Sequence, residues 1–226
     1  MVHCGPVRWP VRGAELARQE RAEQTRNAIL EAAASRFDAV GFLGASLSDI
    51  LAEAGVTKGA LYFHFKSKED LADALIDEQF TVWEPLSAIE QPGLQTVIDL
   101  TQGMAASLRS DVRVRASIRL VIEQGSFLTP AGNVYKQWID TIHGCLLAAK
   151  VAGDLRKEVS AHDLAQLVVG SFTGIQLNSQ VLTGRSDLLE RVTFMWTTIL
   201  SSVVPPRRQH RFNPAGTVGV MEPATA

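Results

Sequence analysis

Apolar residues recur at three- and four-residue steps along almost the whole chain. In residues 15–40, Ala22, Ile29, Ala33, Phe37 and Val40 share one helical face, while Arg18, Arg21, Glu23 and Arg26 lie mostly off it. Gly41 stops this helix as a C-cap would. Ser46-Leu47-Ser48-Asp49 then reads as a capping box with Asp in place of Glu. It opens a short helix through Leu47, Ile50, Leu51 and Ala54 that ends at Gly55. Thr57 is placed to cap a second short helix, Lys58 to about Phe65, and Ser67 with Asp70 caps the next. Longer helices are predicted near 68–84, 94–109, 112–124, 130–152, 160–182 and 185–203, punctuated by Pro85, Pro92, Pro130, Gly153-Asp154 and Pro205. No stretch alternates with period two between turn signals, so the pattern predicts an all-α chain.

Composition narrows the classes. The chain is 46% hydrophobic and 20% charged over 226 residues, enough for a core and too apolar for wholesale disorder. Its net charge of −2 excludes a polybasic coat, so any nucleic-acid contact must come from a local patch. Two cysteines, Cys4 and Cys145, exclude a disulfide scaffold and a four-cysteine zinc site and fit a reducing cytoplasm. The N-terminus lacks a basic start followed by an apolar run, so no secretory signal is read. The uncharged run Leu164–Gly184 is long enough for a membrane span, but Gln166, Ser171, Thr173, Gln176, Asn178, Ser179 and Gln180 would be penalised in hydrocarbon. A buried helix of a soluble, cytoplasmic protein is expected there.

Two short helices joined at a glycine, Ser46 to Phe65, have the form of a helix-turn-helix, in which the second helix presents its N-terminal residues to the major groove. Gly55 suits a turn position of positive φ. Lys58 can donate to guanine O6 or N7, and Gly59 lets backbone approach a base edge. Thr57, Tyr62, His64 and Lys68 are donors for phosphate. Ser46 and Ser48 open the preceding helix, where backbone N–H groups point outward. Val56, Leu61 and Phe65 are expected to face inward. The same pattern also occurs in proteins that never touch DNA, and residues 1–70 hold nine Lys+Arg against nine Asp+Glu.

Thr25-Arg26-x-x-Ile29-Leu30-x-x-Ala33-x-x-x-Phe37, Gly41-Phe42, Ser46-Leu47-x-x-Ile50, Ala54-Gly55-Val56-x-Lys58-Gly59-x-Leu61-Tyr62-x-His64-Phe65 and Lys68-x-x-Leu71 resemble the tetracycline-repressor (TetR) family over about residues 20–75. Where that family often has two hydroxyl residues this chain has Ala45-Ser46. Within it, Arg21 to Arg26 and Val56 to Phe65 are similar to the γ-butyrolactone (autoregulator) receptors of actinomycetes, homodimeric repressors released from operators by small diffusible signals and often controlling antibiotic production. The likeness implies base contacts from Lys58 and Gly59 and phosphate contacts from Thr57, Tyr62, His64 and Lys68.

The implied architecture is an N-terminal three-helix helix-turn-helix DNA-binding domain (15–67) followed by a larger helical ligand-binding and dimerisation domain (68–204). Residues 1–14 and 205–226 are expected to be a disordered arm and tail. In the second domain, Trp83, Phe127, Trp138 and Phe172 stand where they can converge between helices on a neutral small ligand. Gln79 and Thr173 are uncharged hydrogen-bonding residues in apolar surroundings. Simple core roles remain open for all of these; resemblance to the receptors carries Trp138, Gln79 and Thr173 over as pocket candidates. Residues 160–182 and 185–203 are apolar on more than one face, as a two-fold interface requires, and two reading helices suit a pseudo-palindromic operator.

Gly-x-Ser-x-Gly, Gly-x-Gly-x-x-Gly and Walker-type loops do not occur, and the five histidines have no ligand at metal spacing. No catalytic residue, metal or cofactor is therefore expected. The partners expected are double-stranded DNA, a small-molecule effector and a second copy of the chain, without a membrane. A drug-efflux repressor sensing a lipophilic antibiotic, or a small-molecule carrier or enzyme with a vestigial helix-turn-helix, are the alternatives.

Overall fold

Nine α-helices and one short 3-10 helix make up the described part of the chain, residues 12–78, 92–123 and 132–217 of a computed structural model, with no strand among them. They are α1 (Arg12–Gly44), α2 (Leu47–Ala54), α3 (Lys58–His64), α4 (Lys68–Glu78), α5 (Leu94–Ser110), α6 (Val112–Glu123), α7 (Gly132–Val151), α8 (Ala161–Thr183) and α9 (Leu188–Val203).

The N-terminal unit condenses around the apolar face of α1. Ile29, Leu30, Ala33 and Phe37 are fully buried there, with Phe42 from the last turn of α1, Ile50 of α2, Leu61 and the capping Phe65 of α3, and Leu71 of α4 buried in the same core. Each such side chain contributes about 1.5–3 kcal/mol when taken out of water. Local signals shape the turns. Ser46 Oγ accepts the Asp49 N–H at 3.1 Å, and Thr57 Oγ1 accepts the Ala60 N–H at 3.2 Å. Gly55 adopts φ 65° and closes α2 through its N–H to the Leu51 carbonyl. Asp49 does not complete the expected box; it pairs with Arg36 at 3.6 Å.

Helices α5–α9 form the second unit, and its largest buried side chain is Trp196, whose Nε1 donates to Thr101 Oγ1 at 2.7 Å. Helix α6 packs against α1, α4 and α5 and so joins the two units.

The structure departs from the sequence reading in three places. Residues 12–14, assigned to the arm, already belong to α1. At its other end the helix is interrupted at Gly41 as expected, where φ 74° and ψ 176° are not helical, and one further turn runs on to Gly44; Val40, expected on the buried face, is 43% exposed. The reversal at Gly41 turns Phe42 inward and Val40 out. Helix α4 is described only to Glu78, so Gln79, Trp83 and the predicted continuation to 84 lie outside the described residues, as does Phe127.

The third departure is the tail. Residues 205–217 fold back on the protein: Arg208 and Arg211 reach Asp154 Oδ1 at 2.6 and 3.1 Å, and Phe212 packs on the core. Beyond it, Gln95, Asp99 and Gln102, one stripe of α5, bond Asn213, Thr217 and Pro214. A Pro-rich segment cannot continue a helix, but its backbone groups can be satisfied by side chains of another element.

Candidate nucleic-acid interface and effector cavity

Helix α3 turns one face to solvent. Lys58, Gly59, Tyr62 and Phe63 share that face by helical spacing, with Tyr62 45% and Phe63 75% exposed. Lys58 Nζ lies 5.8 Å from the Tyr62 ring centroid, over its face. Leu61 and Phe65 point into the core and Val56 is half-buried. Thr57, Ser46 and Ser48 are exposed beside this face at the starts of α3 and α2. His64 is turned away: half-buried, it meets the Phe63 ring edge-on at 4.9 Å and lies 6.4 Å from Phe65. An exposed phenylalanine on the reading face was not anticipated, since Phe at this spacing reads as core.

Lys68 holds a different place from the phosphate donor expected. Its ammonium donates to the Phe42 and Ala45 carbonyls at 2.8 and 2.9 Å and sits 4.2 Å from the Phe42 ring centroid. Two of its three N–H donors are thus used inside the protein, tying the start of α4 to the bend after α1.

Three arginines of α6 grip the same region. Arg115 Nε pairs with Asp38 at 2.7 Å, Arg119 donates to the Asp38 carbonyl, and Arg113 reaches Glu31 at 3.0 Å and Glu78 at 3.3 Å. Glu123 accepts the Phe42 N–H at 2.9 Å. Arg185, in the turn after α8, is buried and holds φ 68°, a left-handed conformation that a residue other than glycine seldom adopts. Burial pushes its guanidinium pKa down, partly offset by the charge of Asp38.

A narrow, largely apolar cleft lies between α5, α6, α7 and α8. Trp138 and Thr173, separate candidates in sequence, line it together with Phe172. Ile118 of α6, Met104 of α5 and Val168 of α8 supply apolar wall, and none of the described lining residues is charged. Trp138 is 8% exposed, stands edge-on to Tyr135 with centroids 5.1 Å apart, and its Nε1 has no hydrogen-bond partner. Thr173 Oγ1 donates to the Val169 carbonyl at 2.9 Å, as helical threonines do, leaving its lone pairs available.

Along α8 and α9 the single chain leaves Leu167, Val181, Leu182 and Phe194 54–83% exposed. Asp187 braces the turn between these helices, accepting from Ser179 at 2.6 Å, Thr183 at 2.7 Å and Arg191 at 2.7 Å; these donors hold its carboxyl pKa down at about 2. Cys145, near His143 in sequence, is buried, its thiol pKa raised by desolvation, and His143 instead meets His162 edge-on with ring centroids 5.5 Å apart. Among the described residues no cluster of three His, Cys, Asp or Glu side chains could hold a metal ion, and no helix is long and apolar enough to cross a membrane.

Known proteins resemble the chain over both units. The profile of bacterial regulatory proteins of the tetR family matches residues 29–75, and that of a tetracyclin repressor-like C-terminal domain matches 91–205. The A-factor receptor protein of Streptomyces griseus is 42% identical over 205 residues, covering 90% of this chain and 72% of that protein. A crystal structure of a γ-butyrolactone receptor (ArpA-like protein) superposes with a TM-score of 0.72 at 32% identity, covering 86% of this chain and 96% of the other. CprB of Streptomyces coelicolor, a TetR family protein solved in complex with its operator, superposes with a TM-score of 0.69 at 34% identity, covering 84% and 94%.

Proposed function

The chain belongs to the TetR family of bacterial regulators, and from that premise we propose that it is a cytoplasmic, homodimeric transcriptional repressor. It binds a pseudo-palindromic operator and is released by a small neutral signal of the γ-butyrolactone, butenolide or furan type, acting in the control of secondary metabolism rather than as an enzyme. The observation that carries this reading is the likeness over both halves to proteins named as A-factor and γ-butyrolactone receptors. A cleft with an uncharged described wall, holding a buried tryptophan with a free N–H, supports it.

On the DNA side Lys58 and Gly59 read base edges, while Thr57, Tyr62, Ser46 and Ser48 meet phosphate; His64 reaches phosphate only from the flank of α3. Phe63, exposed on the same face, is suited to apolar contact with a thymine methyl. Lys68 serves chiefly by fixing α4 to the bend at Phe42. Dimerisation through α8 and α9 covers their exposed apolar residues and sets two copies of α3 at the half-site separation of ~34–36 Å that adjacent major grooves demand.

Release follows the shared helix. Ile118 touches the cleft, and the next residue, Arg119, holds α1 at Asp38. A ligand that displaces α6 pulls on α1 and on the Phe42–Lys68 clamp, and so alters the spacing of the reading helices. A thousandfold loss of operator affinity requires about 4 kcal/mol of differential ligand binding.

The test is a mobility shift on a palindrome selected from random DNA with this protein. Retarded DNA that is released by a synthetic hydroxymethyl-γ-butyrolactone is expected. Release by unrelated lipophilic antibiotics but by no lactone would overturn the effector class.

A further inference from the structure

We infer that Gln176 is the polar anchor of the effector cavity, reading a neutral ligand head that offers both a hydroxyl and a carbonyl. This assignment rests on the effector reading above and adds to it a residue and a head-group chemistry.

Gln176 is 1% exposed, and neither its Nε2 nor its Oε1 has a hydrogen-bond partner. An isolated buried amide is costly, because two donors and an acceptor are withdrawn from water with no replacement. Gln176 follows Val169, Phe172 and Thr173 by seven, four and three residues, the spacing of one helical face. Those three residues line the cleft, so Gln176 stands one turn further along the face of α8 that forms its wall. Another orphan lies in the cleft wall itself: Trp138 Nε1 on α7, which packs against α8.

Together the two side chains offer N–H donors from the indole and the amide and one carbonyl acceptor from the amide. Their complement is a ligand oxygen that accepts, as a lactone or ketone carbonyl does, beside a hydroxyl that donates. The described wall holds no cation to balance a carboxylate, and desolvating an unpaired anion is more costly than desolvating a neutral head. Val168, Met104 and Ile118 give the rest of the cleft an apolar lining, which suits an alkyl chain rather than a second polar group. Hence the site prefers hydroxylated neutral lactones to their ethers and to carboxylates.

The experiment is calorimetric titration of the purified full-length protein with a 3-hydroxymethyl-γ-butyrolactone bearing an alkyl side chain, and with its O-methyl ether. Wild type is expected to prefer the hydroxyl compound roughly tenfold. In Gln176→Leu the preference falls to about twofold or less while binding of the ether persists. Its melting temperature rises roughly 2–4 °C, because an orphaned amide has been replaced by apolar volume. Gln176→Met repeats the comparison should the leucine variant fail to fold. Undiminished preference in both variants, or a melting temperature below wild type in both, would overturn the role of Gln176 and leave the lactone reading intact. A wild-type protein that binds neither compound removes both.

Discussion

Glu123 at the end of α6 accepts the backbone N–H of Phe42 at 2.9 Å, while its other oxygen takes Arg119 Nε at 2.8 Å. One carboxylate therefore fixes the bend of the DNA-binding unit to the helix that lines the cleft. Glu123→Ala is expected to leave the Phe42 N–H without this acceptor at a cost of about 1–3 kcal/mol. Because the bond spans the two units, operator affinity should fall and the lactone should lose much of its effect on what remains. Denaturation and mobility shift with and without the lactone measure both; unchanged release would show that coupling runs elsewhere.

Gly41 makes that contact possible. Its φ is 74°, and a Cβ built there would lie 2.7 Å from Glu123 Oε1 and 2.9 Å from an Arg119 guanidinium nitrogen. Gly41→Ala meets both a left-handed backbone and a displaced ion pair, so a loss of about 2 kcal/mol or more is expected in urea denaturation. Gly55→Ala is the control. At φ 65° and ψ 28° it sits in the αL region, less restrictive than Gly41 at φ 74° and ψ 176°, and has nothing within 4 Å of its Cβ, so it should cost less on both counts.

Helix-turn-helix architecture was legible in the sequence because its signals are local: Ser46, Gly55 and Thr57 each act within four residues of themselves. Trp138 and Thr173, which line one cleft, were singled out by the resemblance to the receptors, because their spacing alone left simple core roles open. What escaped detection depends on distant partners. The carbonyls that occupy Lys68 come from 26 and 23 residues earlier, so its spacing in α4 reads as a solvent-facing donor. Tail order depends on Gln95, Asp99 and Gln102 of another helix, and composition alone argues for disorder. Gln176 sat in full view within an uncharged run, but that its amide lacks a partner is a fact of packing.

Lys58 and Lys68 are expected to separate cleanly. Lys58→Ala removes an exposed cation of the reading face, so discrimination between operator and mismatched DNA should fall by about 1–3 kcal/mol with folding nearly unchanged. Lys68→Ala instead releases the Phe42 and Ala45 carbonyls. Its melting temperature should drop, while the salt dependence of whatever DNA binding remains stays near wild type, since no phosphate contact is lost. A stable Lys68→Ala protein with a salt slope reduced by about one would restore the phosphate role.

Trp138→Phe keeps most of the aromatic volume and deletes the unpaired N–H. Operator binding should persist, whereas release should need roughly tenfold more lactone. The lactone concentration giving half-release is the measurement, and an unchanged value would leave Trp138 a wall residue only.

Asp187 makes the turn between α8 and α9 acid-sensitive. Its pKa is lowered from 3.8 to about 2 by donors from Ser179, Thr183 and Arg191, so the folded state favours the ionised form. The resulting stability is present above the unfolded pKa and is lost as pH falls from about 4 to 2. The difference in melting temperature between wild type and Asp187→Asn should thus be constant near neutrality and shrink over that acid interval. A difference that persisted at pH 2 would mean that the charge of Asp187 is not what holds the turn.

The exposed apolar residues of α8 and α9 give the symmetric pair its most direct test. Phe194 is 75% and Val181 83% exposed on the single chain, and neither contributes to the core or to the cleft. Phe194→Glu should therefore leave the monomer's folding nearly unchanged, since surface substitutions typically shift stability by less than about 0.5 kcal/mol. Across a two-fold interface the new carboxylate would be desolvated and would face its own copy, so dimerisation should weaken by orders of magnitude. Light scattering would then report monomer, and affinity for the full palindrome would fall to that for a half-site. If Phe194→Glu and Val181→Asp both remain dimeric and both grip the palindrome, the pairing surface lies elsewhere on the molecule.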